Sequence, residues 1–164
     1  MDKWDNDLVK GRCLVFGLSN PDIIQNLIDR GASFVMAVDD NQNRIDSINK
    51  RYKPLLKKKL MAVFAPVDKD QFYRFMWGGE YDCIIINGPE DPMQLRHAFP
   101  MLLKNTHQDT IIILNVFEPS AIVHWCSIFL KLVEVHNREV AILVRKPMLS
   151  NSRHRRRGAV QTSR

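Results

Sequence analysis

Cys13-Leu-Val-Phe-Gly-Leu-Ser-Asn-Pro-Asp22 and Val35-Met-Ala-Val-Asp-Asp-Asn41 are the two stretches around which the chain is organised. The first is apolar through Phe16, breaks at Gly17 and reaches a helix start at Asn20-Pro21-Asp22. The second is apolar through Val38 and closes on the acidic pair Asp39-Asp40. A strand, a glycine turn, a helix, and a second strand ending on an acid about 20 residues later is the order in which doubly wound α/β sheets hold nucleotide-type cofactors. The backbone approaches a ligand closely where there is no Cβ, and a carboxylate at the second strand tip accepts hydrogen bonds from ribose hydroxyls.

Working outward, Arg12 to Phe16 reads as the first strand. Asn can cap the helix that follows, Pro fits its first position and Asp complements its positive end. Ile23, Ile24, Leu27 and Ile28 fall on one helical face, and Gly31 stops the helix. Ser33 to Val38 is the second strand, and Asn41 to Tyr52 a polar helix with Ile45, Ile48 and Tyr52 inward. Lys57-Lys58-Lys59 is an exposed basic run before a third strand, Leu60 to Ala65. A helix capped by Asp68 follows. Tyr81 to Asn87 is the fourth strand, and its unbroken Ile84-Ile85-Ile86 fits a strand covered on both faces. Helices are expected from Asp91 and from Glu118, on either side of a fifth strand, Thr110 to Val116. The connection between Leu132–His136 and Val140–Val144 is too short for a crossover helix, so these two must pair as an antiparallel hairpin.

The expected fold is therefore α/β: a doubly wound, mostly parallel seven-stranded sheet that ends in an antiparallel β-hairpin. One domain, residues 1–147, accounts for it, and residues 148–164 form a disordered basic tail. At 164 residues, 45% of them hydrophobic, the chain can bury a core of its own. No apolar run approaches the ~20 residues of a membrane span, and the polar start is neither a secretory signal nor a transit peptide. Cys13, Cys83 and Cys126 are scattered, without metal-ligand spacing, and read as buried thiols of a reducing compartment. That places the protein in the cytoplasm, or in the nucleus of a eukaryotic or viral system. The net charge is +6, and five arginines beyond Pro147 (Arg153, Arg155, Arg156, Arg157 and Arg164) leave +1 for the rest. Such a tail, with Lys57 to Lys59, suits a nucleic-acid partner, although a solvated tail that keeps the protein soluble has the same composition.

This order of elements resembles the class I S-adenosylmethionine-dependent methyltransferases, over roughly Arg12 to Lys146. Gly17 matches the first glycine of that family's glycine-rich motif, while its second and third glycines fall on Ser19 and Pro21, and an acid two positions earlier falls on Val15. Asp39 matches the acid that binds the cofactor's ribose, beside Asp40. Asp68 lies where the family places a residue near the adenine amine. Tyr81-Asp82 and Asn87-Gly88-Pro89-Glu90 match the region that faces the transferred methyl. The resemblance implies S-adenosylmethionine as cofactor, bound by Gly17, Ser19, Asp39, Asp40, Asp68 and Asn87, with Asn87 and Glu90 as catalytic residues. Metal-binding members carry acids where this chain has Asn87 and Asn115, so no metal is expected.

Each residue also has a plainer role. Gly17 can be a tight-turn glycine, Asp39 or Asp40 a cap for the next helix, and Asp68 a cap alone. The function expected is methyl transfer to RNA or another nucleic acid, or to a small molecule. Its rival is an inactive relative serving as a binding or scaffold module, on RNA through the basic tail. With little beyond the core sheet, substrate choice would fall to short loops, the tail or a partner subunit.

Overall fold

The computed structural model describes residues 9–65, 79–87, 104–115, 130–136 and 140–145. Within them the chain forms β1 (Gly11–Phe16), α1 (Asp22–Asp29), β2 (Ala32–Asp39), α2 (Gln42–Arg51), β3 (Leu60–Phe64), β4 (Tyr81–Asn87), β5 (Thr106–Asn115), β6 (Leu130–His136) and β7 (Val140–Arg145). The strands make one seven-stranded sheet in the order β3-β2-β1-β4-β5-β7-β6. β1 pairs in parallel with both β2 and β4. The chain thus winds outward from β1 to β3, returns to the centre and winds the other way from β4. The crevice that opens between two such halves, at the carboxyl ends of their strands, is where open α/β sheets bind ligands.

Local chemistry explains the helices. The Asn20 side chain accepts from the Asp22 amide at 3.0 Å, which satisfies one of the orphan donors of α1. Helix α1 begins at Asp22, so Pro21 stands just before the first helical residue rather than in it. Asn41 caps α2, accepting from the amides of Asn43 and Arg44. The cap is thus neither Asp39 nor Asp40. Gly31 leaves α1 at φ 97, a left-handed conformation that suits glycine.

Ile23, Ile24 and Leu27 of α1 and Ile45 and Ile48 of α2 pack on one face of the sheet, against Cys13, Val15, Val35, Ala37, Cys83 and Ile85. The alternate residues Leu14, Phe16, Met36, Ile84 and Ile86 are buried too. Both faces of the central strands are therefore covered, as the isoleucine run of β4 implies, and each fully buried Ile or Leu contributes ~2 kcal/mol. Among the described residues no helix is long and apolar enough to cross a membrane.

One expectation is corrected, and one that left the strand order open is completed. Strand β5 begins at Thr106, four residues before Thr110, because Tyr81 pairs with Thr106 across a register shift. The Thr110 hydroxyl donates to the Tyr81 carbonyl at 2.6 Å and accepts from the His107 amide at 2.9 Å, which holds the polar lead-in on the sheet. The hairpin of β6 and β7 is antiparallel, but β7 inserts between β5 and β6. Since β7 is also antiparallel to β5, β6 runs with the parallel strands. The helices expected from Asp68, Asp91 and Glu118, Cys126 and the tail of residues 148–164 lie outside the described residues.

Candidate functional site

The carboxyl tips of β1, β2, β4 and β5 bring together Gly17, Ser19, Asp39, Asp40, Asn87 and Asn115. Gly17 follows β1 at φ 82 and donates its amide to the Val38 carbonyl at 2.9 Å. A Cβ at this position would run into the carbonyl of Asn87. The missing side chain therefore lets two strand tips meet at the switch point. That is the tight-turn reading of Gly17, with the added condition that β4 closes on it.

Asp39 ends β2 and is only 1% exposed. Its Oδ2 accepts from the Leu18 amide at 2.6 Å and its Oδ1 from the Asn41 amide at 2.7 Å. Arg44, in the first turn of α2, reaches Oδ2 at 3.5 Å. A carboxylate offers about four lone-pair sites, and these three donors take most of them. Asp39 thus fastens the turn after β1 to the turn after β2. The acid that would anchor the glycine turn from within β1 is absent, since Val15 is a fully buried core residue; Asp39 provides that anchor from the neighbouring strand. Asp40, next in sequence, is exposed at the same tip. Arg44 went unnoticed in the sequence, where a polar residue on the first turn of a helix carries no signal of its partner five positions back.

On the other side of the switch point, Asn87 and Asn115 stand directly opposite one another in the β4–β5 register. Asn115 Nδ2 donates to Asn87 Oδ1 at 2.7 Å, and Asn87 Nδ2 donates to Ser19 Oγ at 3.4 Å. The three side chains form a chain across the tips of β1, β4 and β5. Asn87 is almost wholly buried, Asn115 half-buried and Ser19 exposed. Two amides and a hydroxyl can orient a polar substrate but cannot exchange a proton near neutral pH. Asp68 and Glu90, the remaining candidates, lie outside the described residues.

Tyr81 and Asp82 do not join this crevice. They open β4 at the other end of the strand, about 20 Å from Asn87 at ~3.3 Å per residue. There Asp82 Oδ2 accepts the Arg12 amide at 2.7 Å and its Oδ1 meets His107 Nε2 at 3.2 Å. His107 Nδ1 accepts the Asp109 amide at 3.2 Å, so the neutral ring carries its proton on Nε2 and donates it to Asp82. The Arg12 guanidinium lies over the rings of Phe34 and Tyr81, 5.4 and 5.6 Å from their centroids. This cluster bolts β1, β4 and β5 together at their amino ends.

A doubly wound sheet in this strand order, closed by an inserted antiparallel β7, is the class I methyltransferase fold. Solved structures bear this out. The N-methyltransferase NodS from Bradyrhizobium japonicum WM9 matches at TM-score 0.65 and 13% identity, over 84% of this chain and 86% of that one. A second structure of NodS, in complex with S-adenosyl-L-homocysteine, matches at TM-score 0.64 and 12% identity, over 84% and 79%. An rRNA methylase from Streptococcus thermophilus matches at TM-score 0.62 and 10% identity, over 85% and 90%. No family model and no curated protein matches the sequence.

Proposed function

We propose that the chain binds S-adenosylmethionine at the carboxyl tips of its parallel strands and transfers the methyl group to a nucleic-acid or small-molecule substrate. The observation that carries this reading is the exposed Asp40 beside the anchored Asp39, at the same carboxyl ends of the strands as the Ser19–Asn87–Asn115 chain. Asp40 would hold the ribose hydroxyls, and Ser19 and the backbone after Gly17 the remainder of the cofactor. When bound, the cofactor supplies an electrophilic methyl on a sulfonium, and methyl transfer then needs alignment and exclusion of water more than acid–base chemistry. A substrate would be aligned by the Asn87–Asn115 pair, with Glu90 as the candidate proton acceptor. The similarity to NodS, a structure of which holds S-adenosyl-L-homocysteine, supports the cofactor.

One observation favours the second reading, a non-catalytic module on the same fold. The Asp39 carboxylate is consumed by the protein's own backbone, so a glycine turn lacking two of its glycines is kept in shape without any ligand. Calorimetric titration with S-adenosylmethionine and S-adenosylhomocysteine separates the two. Micromolar binding that Asp40→Ala weakens at least tenfold, with an unchanged unfolding midpoint, supports the enzyme. No heat at millimolar ligand rejects it and leaves the module. Asp39→Ala would not discriminate, because it loosens the turn itself.

A further inference from the structure

From the last turn of α2 to the start of β3 the chain carries six cations in ten residues, Lys50, Arg51, Lys53, Lys57, Lys58 and Lys59, with no acid among them. All six side chains are exposed. Arg51 is bound to Asp22 at 2.7 Å. Among the described residues, no carboxylate pairs with the five lysines. Ordinary surface charge is mixed in sign, because like charges held close together repel. Here the fold holds them close.

It also holds them rigidly. The Lys57 amide donates to the Leu60 carbonyl at 2.9 Å, and the amides of Lys58 and Lys59 both reach the Leu55 carbonyl, at 3.2 and 2.9 Å. The Lys59 carbonyl accepts from Val35 of β2 at 2.8 Å, which ties the turn to the sheet. Lys57 sits at φ 64, the single non-glycine residue with positive φ among those described. Glycine or asparagine adopts that conformation more readily. A strained position that nonetheless keeps its long cationic side chain points to use of the charge.

The turn lies at the amino end of edge strand β3, about 17 Å along that strand from the crevice. Strand β7, being antiparallel, ends with Arg145 at this same end of the sheet, and the arginine-rich sequence follows it in the chain. The α2–β3 turn and the end of β7 thus share the end of the sheet opposite the crevice. We propose that the α2–β3 turn is a docking surface for the phosphate backbone of a nucleic acid, separate from the crevice at the strand tips. Closely spaced lysines on a fixed turn, with no acid partner among the described residues, suit a strand of phosphates, each neutralised with release of a counterion. A membrane surface is disfavoured because Leu55 and Leu56 pack on the core, and among the described residues Met61 is the one large exposed apolar side chain beside the run, too little to insert. The inference stands whether or not the crevice binds cofactor.

The test is fluorescence anisotropy of the full chain with labelled single-stranded oligouridine and oligothymidine, between about 50 and 200 mM salt. It compares the native protein with a variant carrying Lys57→Gln, Lys58→Gln and Lys59→Gln, whose unfolding midpoint in urea establishes that it folds. Removing three phosphate contacts should weaken binding at least about tenfold at low salt and flatten the slope of log K against log salt by about 2. The oligonucleotide that binds more tightly identifies the polymer. Equal affinity and slope for native and variant chains would overturn the proposal, since the contacts would then lie elsewhere. So would failure of the native chain to bind either oligonucleotide, including the case in which it binds phosphatidylserine vesicles instead.

Discussion

The carboxylate of Asp39 accepts the Leu18 amide at 2.6 Å across 21 residues of sequence, and so joins the turns that follow β1 and β2. An acid in this position is expected to serve a ligand. In this chain its oxygens serve the backbone first, with the Asn41 amide at 2.7 Å on the second oxygen. Asp39→Ala leaves two amide donors without their acceptor, at a cost of about 3 kcal/mol for charge-assisted bonds in a buried setting. Urea unfolding should show that loss with no ligand present. A midpoint equal to that of the native protein would mean the carboxylate is free for a ligand after all.

Gly17 and Gly31 allow a cleaner comparison. Both have positive φ, at 82 and 97, but a Cβ on Gly31 meets nothing within 4 Å whereas one on Gly17 strikes the Asn87 carbonyl. Gly31→Ala should cost only the left-handed strain, about 1–2 kcal/mol. Gly17→Ala adds displacement of a strand tip and should cost about 3 kcal/mol or more. Thermal unfolding of the two variants side by side reads the difference. Equal losses would show that β4 does not close on the turn as described.

How far the sequence disclosed this arrangement depends on how local each cause is. The cap at Asn20, the stop at Gly31 and the isoleucine run of β4 are set by neighbours within a few residues and were legible, whereas the cap of α2 was sought at Asp39 or Asp40 and lies at Asn41. Thr106 to Asp109 is polar and shows no strand pattern, because its place in β5 comes from Tyr81 and Asp82 on another strand. The hairpin of β6 and β7 followed from a short connection, yet which of the two lies beside β5 is a matter of the whole sheet. At the candidate site, Asp39, Asp40 and Asn87 were singled out by their positions at strand tips, and Ser19 by the family resemblance. That Asp39 is buried, and that Asn87 is held between Ser19 and Asn115, depends on contacts between distant parts of the chain. Periodicity carries no trace of those.

The Asn87–Asn115 pair gives a third prediction. Asn115→Leu removes the donor to Asn87 Oδ1 and leaves a nearly buried carbonyl unpartnered, which should cost about 1–2 kcal/mol. A double-mutant cycle with Asn87→Leu separates this from lost packing. If the amides act as a pair, the double variant is less destabilised than the sum of the singles. Additive losses would mean that they do not.

Stability should also fall in alkali. Burial raises the Tyr81 hydroxyl, against the pull of Arg12, and raises Tyr52 against Arg51. The Cys83 thiol is raised well above its ordinary value, first by its hydrogen bond with Cys13 and then by burial. In each case the folded state keeps a proton that the unfolded chain releases. The unfolded state therefore binds fewer protons, and stability declines as pH climbs past the unfolded values, about 8.5 for the thiol and 10 for the phenols. Urea midpoints should stay level in pH from neutrality to about 8.5 on this account, then drop. Tyr81→Phe should flatten the decline. A variant that loses stability in alkali as steeply as the native chain would remove Tyr81 from the explanation.

Lys57 sets stability against use. At φ 64 it bears left-handed strain of about 1–2 kcal/mol, part of which glycine returns as unfolded-chain entropy. Lys57→Gly should therefore stabilise the fold by about 0.5 kcal/mol, a small rise in thermal midpoint. The same change removes one of the three consecutive charges of the turn and should weaken oligonucleotide binding measurably at low salt. Selection for stability alone would favour glycine here, and the lysine then marks a contact that matters more than the strain. If Lys57→Gly gains stability with no loss of nucleic-acid affinity, the strain has no such justification, and the docking contacts belong to Lys58 and Lys59.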